Sequence, residues 1–175
     1  MKFDVIVIGG GQAGFEEAMK AVSEGKSCAI LSEGRTLDKI DYDRFTKAGG
    51  TLLMGDSAES ASFSGGRVCG IKTHKLGGTV LEADLYVLAT GRFFSKGLYA
   101  DMNSVRETVM GLDLDFDEDR SKWFEDDFFA VQPFMDKGVI ADAEGHPFKD
   151  GTRIDNVLVV GSILSKVRRY CRKRT

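Results

Sequence analysis

One stretch constrains this chain more than any other: an apolar run that breaks directly into glycines, Phe3-Asp4-Val5-Ile6-Val7-Ile8-Gly9-Gly10-Gly11-Gln12-Ala13-Gly14. Residues 3–8 are β-branched and apolar enough for a strand buried on both faces, and residues 12–24 continue as a helix, so the glycines fall at a strand-to-helix corner. The spacing Gly9-x-Gly11-x-x-Gly14 is that of a dinucleotide-binding turn. Gly9 permits the tight turn, Gly11 lets the backbone approach a pyrophosphate, and Gly14 lets the helix pack closely on its strand. The helix N-terminus, with its unpaired N–H groups and positive dipole end, holds the pyrophosphate without a basic side chain. Gly10, Gln12 and Ala13 complete the corner as candidate cofactor contacts.

Glycines also mark ordinary turns, so the residues after them carry weight. Residues 27–31 read as the second strand of a βαβ unit, ending at Ser32 and Glu33. Glu33 follows Gly14 at about the interval, roughly 20 residues, at which an acid takes the ribose hydroxyls of the adenosine half. The alternative for Glu33 is a solvated loop carboxylate.

With 175 residues and 42% hydrophobic content, the chain suffices for one buried domain over residues 1–175 and is short for a dinucleotide domain plus a full substrate domain. No apolar run approaches a membrane span, and the first apolar stretch belongs to the glycine corner rather than to a signal peptide, which predicts a cytoplasmic protein. Cys28, Cys69 and Cys171 are far apart and only two histidines are present, so neither a disulfide framework nor a zinc, iron–sulfur or other metal site is expected. Cys28 and Cys69 fall in strands and read as inert core thiols. The net charge of −3 conceals a basic tail over residues 166–175, read as a solvated terminus; the acidic body and the lack of an aromatic-interleaved basic face argue against nucleic acid.

Further along, residues 36–48 allow an amphipathic helix ending at Gly49-Gly50. A small antiparallel β-meander is expected as an insert over about residues 51–83, with strands at 51–54, 57–63, 67–73 and 79–82; Ala58 on its second strand is a candidate cofactor contact. Residues 84–89 return to the core as a parallel strand and stop at Ala89-Thr90-Gly91, where a glycine lets backbone approach the cofactor. Residues 92–150 are irregular. Their acidic residues, among them Asp113, Asp115, Asp117, Asp119 and Asp127, alternate with Phe116, Trp123, Phe124, Phe128 and Phe129, which reads as a charged surface over a docked aromatic core; the glycine and terminal glutamate of a calcium loop are missing. Residues 156–161 form a last strand ending at Gly161-Ser162, with a helix over 162–170. The fold class is therefore α/β: an FAD/NAD(P)-binding, Rossmann-like parallel sheet carrying the β-meander.

Together, the glycine corner, Ala89-Thr90-Gly91 and the strand ending at Gly161 resemble the glutathione-reductase-like FAD superfamily. More specifically, Gly91-Arg92-Phe93-Phe94-Ser95-Lys96-Gly97-Leu98, Val105-Arg106-Glu107-Thr108-Val109-Met110-Gly111-Leu112-Asp113, Asp127-Phe128-Phe129-Ala130-Val131-Gln132-Pro133 and Val160-Gly161-Ser162-Ile163-Leu164 are similar, in order and spacing, to blocks of the B-subunit family of anaerobic glycerol-3-phosphate dehydrogenase. The resemblance implies FAD, with FMN as the alternative, and oxidation of glycerol 3-phosphate to dihydroxyacetone phosphate with electrons passed toward a membrane quinone. It also implies a catalytic partner subunit and an iron–sulfur membrane-anchor subunit, and a cytoplasmic location peripheral to the inner membrane. In the superfamily the last motif usually ends in Gly-Asp, where Gly161-Ser162 stands here; members of the B-subunit family carry a large segment where this chain joins Arg35 to Thr36, and a glycine-rich segment where the basic tail lies. Arg92, Lys96 and Arg106 are candidates for a substrate phosphate, with plain surface charge as the alternative. His146, in Gly145-His146-Pro147, reads as a turn residue, and no catalytic residue is assigned. A shortened, non-catalytic FAD- or NAD-binding module acting as a structural partner is the second reading; an NAD-dependent dehydrogenase fits the meander and Ala89-Thr90-Gly91 less well.

Overall fold

The computed structural model describes residues 1–34 and 37–166. Its centre is a five-stranded, all-parallel sheet built from β1 (Lys2–Ile8), β2 (Cys28–Ser32), β3 (Thr51–Met54), β6 (Glu82–Leu88) and β11 (Val157–Val159), in the order β11-β6-β1-β2-β3. Helices α1 (Gln12–Ser23) and α2 (Lys39–Lys47) make the crossovers from β1 to β2 and from β2 to β3. The antiparallel parts are the hairpin of β4 (Ala58–Ser64) with β5 (Arg67–Thr73), and the short pairs β7 (Leu98–Ala100) with β8 (Val105–Glu107) and β9 (Phe148–Lys149) with β10 (Thr152–Arg153).

The pleat divides the strands between two apolar layers. Val5, Val7, Cys28, Ile30 and Val87 pack with Phe15, Ala18 and Ala21 of α1 and with Phe45 of α2. Their neighbours Ile6, Ile8, Ala29, Leu31, Tyr86, Leu88, Val157 and Val159 face the other way, against Val68 and Ile71 of the hairpin and against Leu98, Leu112, Val139 and Ile154. Continuous apolar strands, expected where a sheet is covered on both sides, follow from this arrangement. Asn156 fastens the hairpin to the sheet: its side chain accepts from the Val68 amide and donates to the Val68 carbonyl, both at 2.8 Å, as a neighbouring strand would.

Several sequence expectations are corrected. Residues 51–54 pair in parallel with β2 and so belong to the main sheet, because they follow a crossover helix rather than a hairpin turn. Of the four expected meander strands, β4 and β5 form the hairpin, and residues 79–82 contribute an isolated bridge between Ile71 and Leu81 and the start of β6. Past β11 there is a single 3-10 turn over Gly161–Ile163, after which Leu164 is extended (ψ 139°) and bridges to Val139; residues 167–175, with the rest of the expected helix, most of the basic tail and Cys171, lie outside the described residues.

Within residues 92–150, Phe116 does dock, edge to face with Phe93 and Trp123 at 6.1 and 5.5 Å between ring centres. Phe124, Phe128 and Phe129 are exposed instead. Cys28 is a core thiol whose pKa burial pushes up to about 12, whereas Cys69 points outward from β5 and is exposed. Among the described residues no group of His, Cys, Asp and Glu is arranged to hold a metal ion, and no helix is long and apolar enough to cross a membrane.

Candidate functional site

The chain leaves β1 toward β2, while β6 is bordered on its far side by β11, so the strand order reverses between β1 and β6. Ligands of open parallel sheets bind beyond the carboxyl ends of the strands at such a point. Here it opens as a cleft of about 990 Å³, lined by the glycine corner, the ends of β2 and β6, the loop into β4, and residues 108–109 and 161–162. That volume lies at the top of the range typical of ligand sites, about 300–1,000 Å³.

The three motif glycines are glycine for different reasons. Gly9 has φ +110°, and a Cβ there would stand 2.3 Å from the Ala89 carbonyl oxygen. At Gly14 a Cβ would meet the Gly9 carbonyl oxygen at 2.4 Å and Val7 Cγ1 at 3.0 Å, so α1 could not lie this close to β1. Gly11, which caps α1 with φ −76°, has nothing within 4 Å of a would-be Cβ. Among the described residues no atom forbids a side chain there. The helix beyond it starts with no side-chain cap and no acid in its first turn, the arrangement in which a helix N-terminus can accept an anion.

Around the corner, the buried Ser32 donates to the Gly34 carbonyl at 2.8 Å, and its Oγ would lie 2.9 Å from a Cβ on Gly10. Glu33, Gln12, Ala13 and Ala58 line the cleft with it. Glu33 receives a hydrogen bond from Lys96 Nζ at 2.8 Å, and that ammonium holds its carboxyl below the ordinary value. Opposite, Ala89, Thr90 and Gly91 continue from β6; the Thr90 hydroxyl is buried in this wall and makes no hydrogen bond. Gly91 (φ +73°) and Gly161 (φ +78°) both need their left-handed backbone, and Gly161 meets the start of α1 at Ala13.

The three basic candidates are not brought together. Lys96 lines the cleft beside Glu33. Arg92 donates through Nε to the Ser162 carbonyl, and through its guanidinium to the Leu164 carbonyl at 3.4 Å, bracing the chain that leaves β11. Arg106 stacks on Tyr99, 4.7 Å from the ring centre, away from the cleft. His146 is a turn residue, its Nδ1 2.8 Å from the Val157 carbonyl.

Sequence reasoning missed Asp56, Ser57, Glu59 and His74 in the wall, and Phe94, Ser95, Thr108 and Val109 at its mouth. Thr108 and Val109 are placed by Glu107, a buried carboxylate whose oxygens accept from the amides of Val109, Met110 and Gly111 at 2.9, 2.6 and 2.8 Å. A lone glutamate before Thr-Val-Met-Gly is the one local signal of that loop.

Comparison with known proteins bears on the same site. Residues 41–174 match the FAD binding domain family, a span that begins after the glycine corner and so owes nothing to it. The B-subunit of the anaerobic glycerol-3-phosphate dehydrogenase of Vibrio cholerae serotype O1 is 37% identical over 134 residues, covering 75% of this chain and 31% of that protein. The corresponding subunit of Pectobacterium atrosepticum is 39% identical over 131 residues, with the same coverage. The chain thus spans less than a third of the length of these relatives. Among solved structures, thioredoxin reductase of T. acidophilum is 20% identical with a TM-score of 0.43, over 60% of this chain and 38% of that one.

Proposed function

This chain belongs to the FAD binding domain family, and on that premise we propose that its cleft holds FAD with the diphosphate at Gly11 and the start of α1, the adenosine half toward Ser32, Glu33 and Ala58, and the flavin end toward Gly91, Gly161 and Ser162. The observation that carries this reading is Gly11. Gly9 and Gly14 are explained by contacts inside the protein, whereas at Gly11 no described protein atom lies within 4 Å of a Cβ, which leaves the backbone open to the approach of a diphosphate. The unpartnered Thr90 hydroxyl is a second group in the wall that a ligand would satisfy.

When bound, FAD supplies the redox chemistry. The chain's own part is to bind and orient it: backbone amides for the diphosphate, the Glu33 carboxylate for ribose hydroxyls, and the Ser162 hydroxyl, in place of a carboxylate, near the flavin side chain. Residues 1–175 act as one such domain. By similarity to its dehydrogenase relatives, the chain serves a flavin oxidoreductase that takes electrons from glycerol 3-phosphate toward a membrane quinone, beside a catalytic subunit and an iron–sulfur anchor subunit that hold it peripherally at the inner membrane. A second reading is a non-catalytic FAD- or NAD-binding module within such a complex, in keeping with a cleft whose wall shows binding residues and to which no catalytic residue is assigned.

Titration of the purified protein with FAD, FMN and NAD, followed by calorimetry and visible absorption, tests the site. Tight FAD binding with weaker FMN and NAD binding supports it; equal affinity for FMN contradicts the adenosine subsite. Dye-linked glycerol 3-phosphate oxidation by the FAD-loaded chain, alone and with partner subunits, separates the two functional readings.

A further inference from the structure

Lys96 stands where a lysine is a costly choice. Its backbone is left-handed, φ 62°, a conformation that a glycine would take without strain. A non-glycine residue held in this region points to a role outside folding when its contacts do not account for it. Its backbone is held in the loop, the amide donating to the Phe93 carbonyl at 3.1 Å and the carbonyl accepting from the Thr108 hydroxyl at 2.8 Å, bonds that a glycine would make equally well; its side chain pairs with Glu33, but the two side chains are 75% and 53% exposed, and exposed pairs add little to stability.

Position supplies another reason. Lys96 belongs to the loop leaving β6 and Glu33 to the end of β2; β1 lies between those strands, so the pair spans the cleft across the corner where Gly9, Gly10 and Gly11 turn into α1. Among the described residues, Lys96 is the only lysine or arginine in the wall, which also carries the carboxylates of Glu33, Asp56 and Glu59. The wall's side chains carry more negative than positive charge even with Lys96 counted, and Lys96 is the one ammonium or guanidinium among the described residues there on which an entering diphosphate can draw.

We propose that Lys96 is the cation that holds the diphosphate of the dinucleotide, passing from the Glu33 carboxylate to the phosphate oxygens as Glu33 takes the ribose hydroxyls. The proposal rests on the FAD site described above. It also assigns Lys96 to the cofactor's phosphates rather than to those of a substrate. An ammonium suits this because it is a compact point charge on a flexible stem that can swing between two acceptors.

The test uses the whole chain as wild type, Lys96→Met and Lys96→Gly, titrated by calorimetry with FAD, ADP, adenosine and glycerol 3-phosphate at low and high salt. Both variants are expected to bind FAD and ADP about tenfold more weakly, as for loss of one charge-assisted hydrogen bond, with the deficit shrinking at high salt. Adenosine binding should be unchanged, since it carries no phosphate. Ligand-free Lys96→Gly should melt higher than Lys96→Met, because only glycine relieves the left-handed backbone. Variants that bind FAD and ADP as well as wild type, or more tightly, overturn the proposal alone, the second result making Lys96 a latch that excludes the ligand. Loss confined to glycerol 3-phosphate also overturns it, returning Lys96 to the substrate. Failure of wild type to bind either FAD or ADP removes the site reading and this proposal together.

Discussion

A methyl group on Gly9 would stand 2.3 Å from the carbonyl oxygen of Ala89, so the loops leaving β1 and β6 meet more closely than any side chain permits. Gly9 also holds φ +110°, which L-residues rarely adopt. Gly9→Ala is therefore expected to cost about 3 kcal/mol or more, as strain and overpacking combine. Gly11→Ala, with φ −76° and open space, should cost roughly 1 kcal/mol or less. Urea denaturation of both variants checks the contrast; equal losses would mean that the corner is not built as described.

Glu107 offers a second test. Burial pushes its carboxyl up, against the pull of the amides it accepts from, and both oxygens are in use. Glu107→Gln keeps one acceptor oxygen and turns an NH₂ donor toward amide donors. The expected loss is about 2–4 kcal/mol, measured by denaturation, together with weaker FAD binding because Thr108 and Val109 line the cleft.

For pH dependence the informative group is Asp142. Burial alone would raise its carboxyl, but the hydrogen bond from Arg153 Nε at 2.7 Å and the amide of His146 at 2.8 Å hold it below its ordinary value. A depressed native value stabilises the fold above the unfolded value, about 3.9, and that stability is lost as pH falls through the native one. Asp142→Asn should lower the melting temperature at neutral pH, by the equivalent of about 1–3 kcal/mol. The gap to wild type should begin to narrow below about pH 4 and close as pH falls through the depressed native value; a gap independent of pH would show that the charge is not what stabilises.

Much of this architecture is legible in the sequence because its signals are local. The run from Val5 to Ile8 into Gly9-x-Gly11-x-x-Gly14 specifies strand, turn and helix at once, and Ala89-Thr90-Gly91 marks the partner loop across the cleft. Residues 51–54 read as part of the meander because four residues show no period that tells a parallel from an antiparallel neighbour; only the register of Leu52 beside Ile30 places them in the main sheet. The site's outer wall is not legible. Asp56, His74 and Thr108 reach the cleft through the β3–β4 loop, the end of the hairpin and the Glu107 loop, contacts set by packing rather than by spacing along the chain. Arg92, Lys96 and Arg106 look alike in sequence, and their separate fates depend on a carbonyl, a carboxylate and a ring that the fold brings to each.

Catalytic competence is separable from cofactor binding. On the oxidoreductase reading proposed above, FAD-loaded protein by itself is expected to oxidise glycerol 3-phosphate orders of magnitude more slowly than with partner subunits, since positioning of substrate supplies several kcal/mol of a barrier. A dye-linked assay decides; robust turnover by the isolated chain would place a complete substrate site within these residues.

The most direct measurement is a pair of thermal melts, with and without FAD, on wild type and Gly11→Val. A branched side chain at Gly11 fills the space assigned to the diphosphate, at a position where a Cβ meets no described protein atom within 4 Å. The expected result is a ligand-free variant that melts within a few degrees of wild type and gains nothing from FAD, while wild type rises with FAD concentration as RT ln(1 + [L]/Kd) requires. A variant that FAD stabilises as much as wild type would contradict the assignment of the diphosphate to this corner.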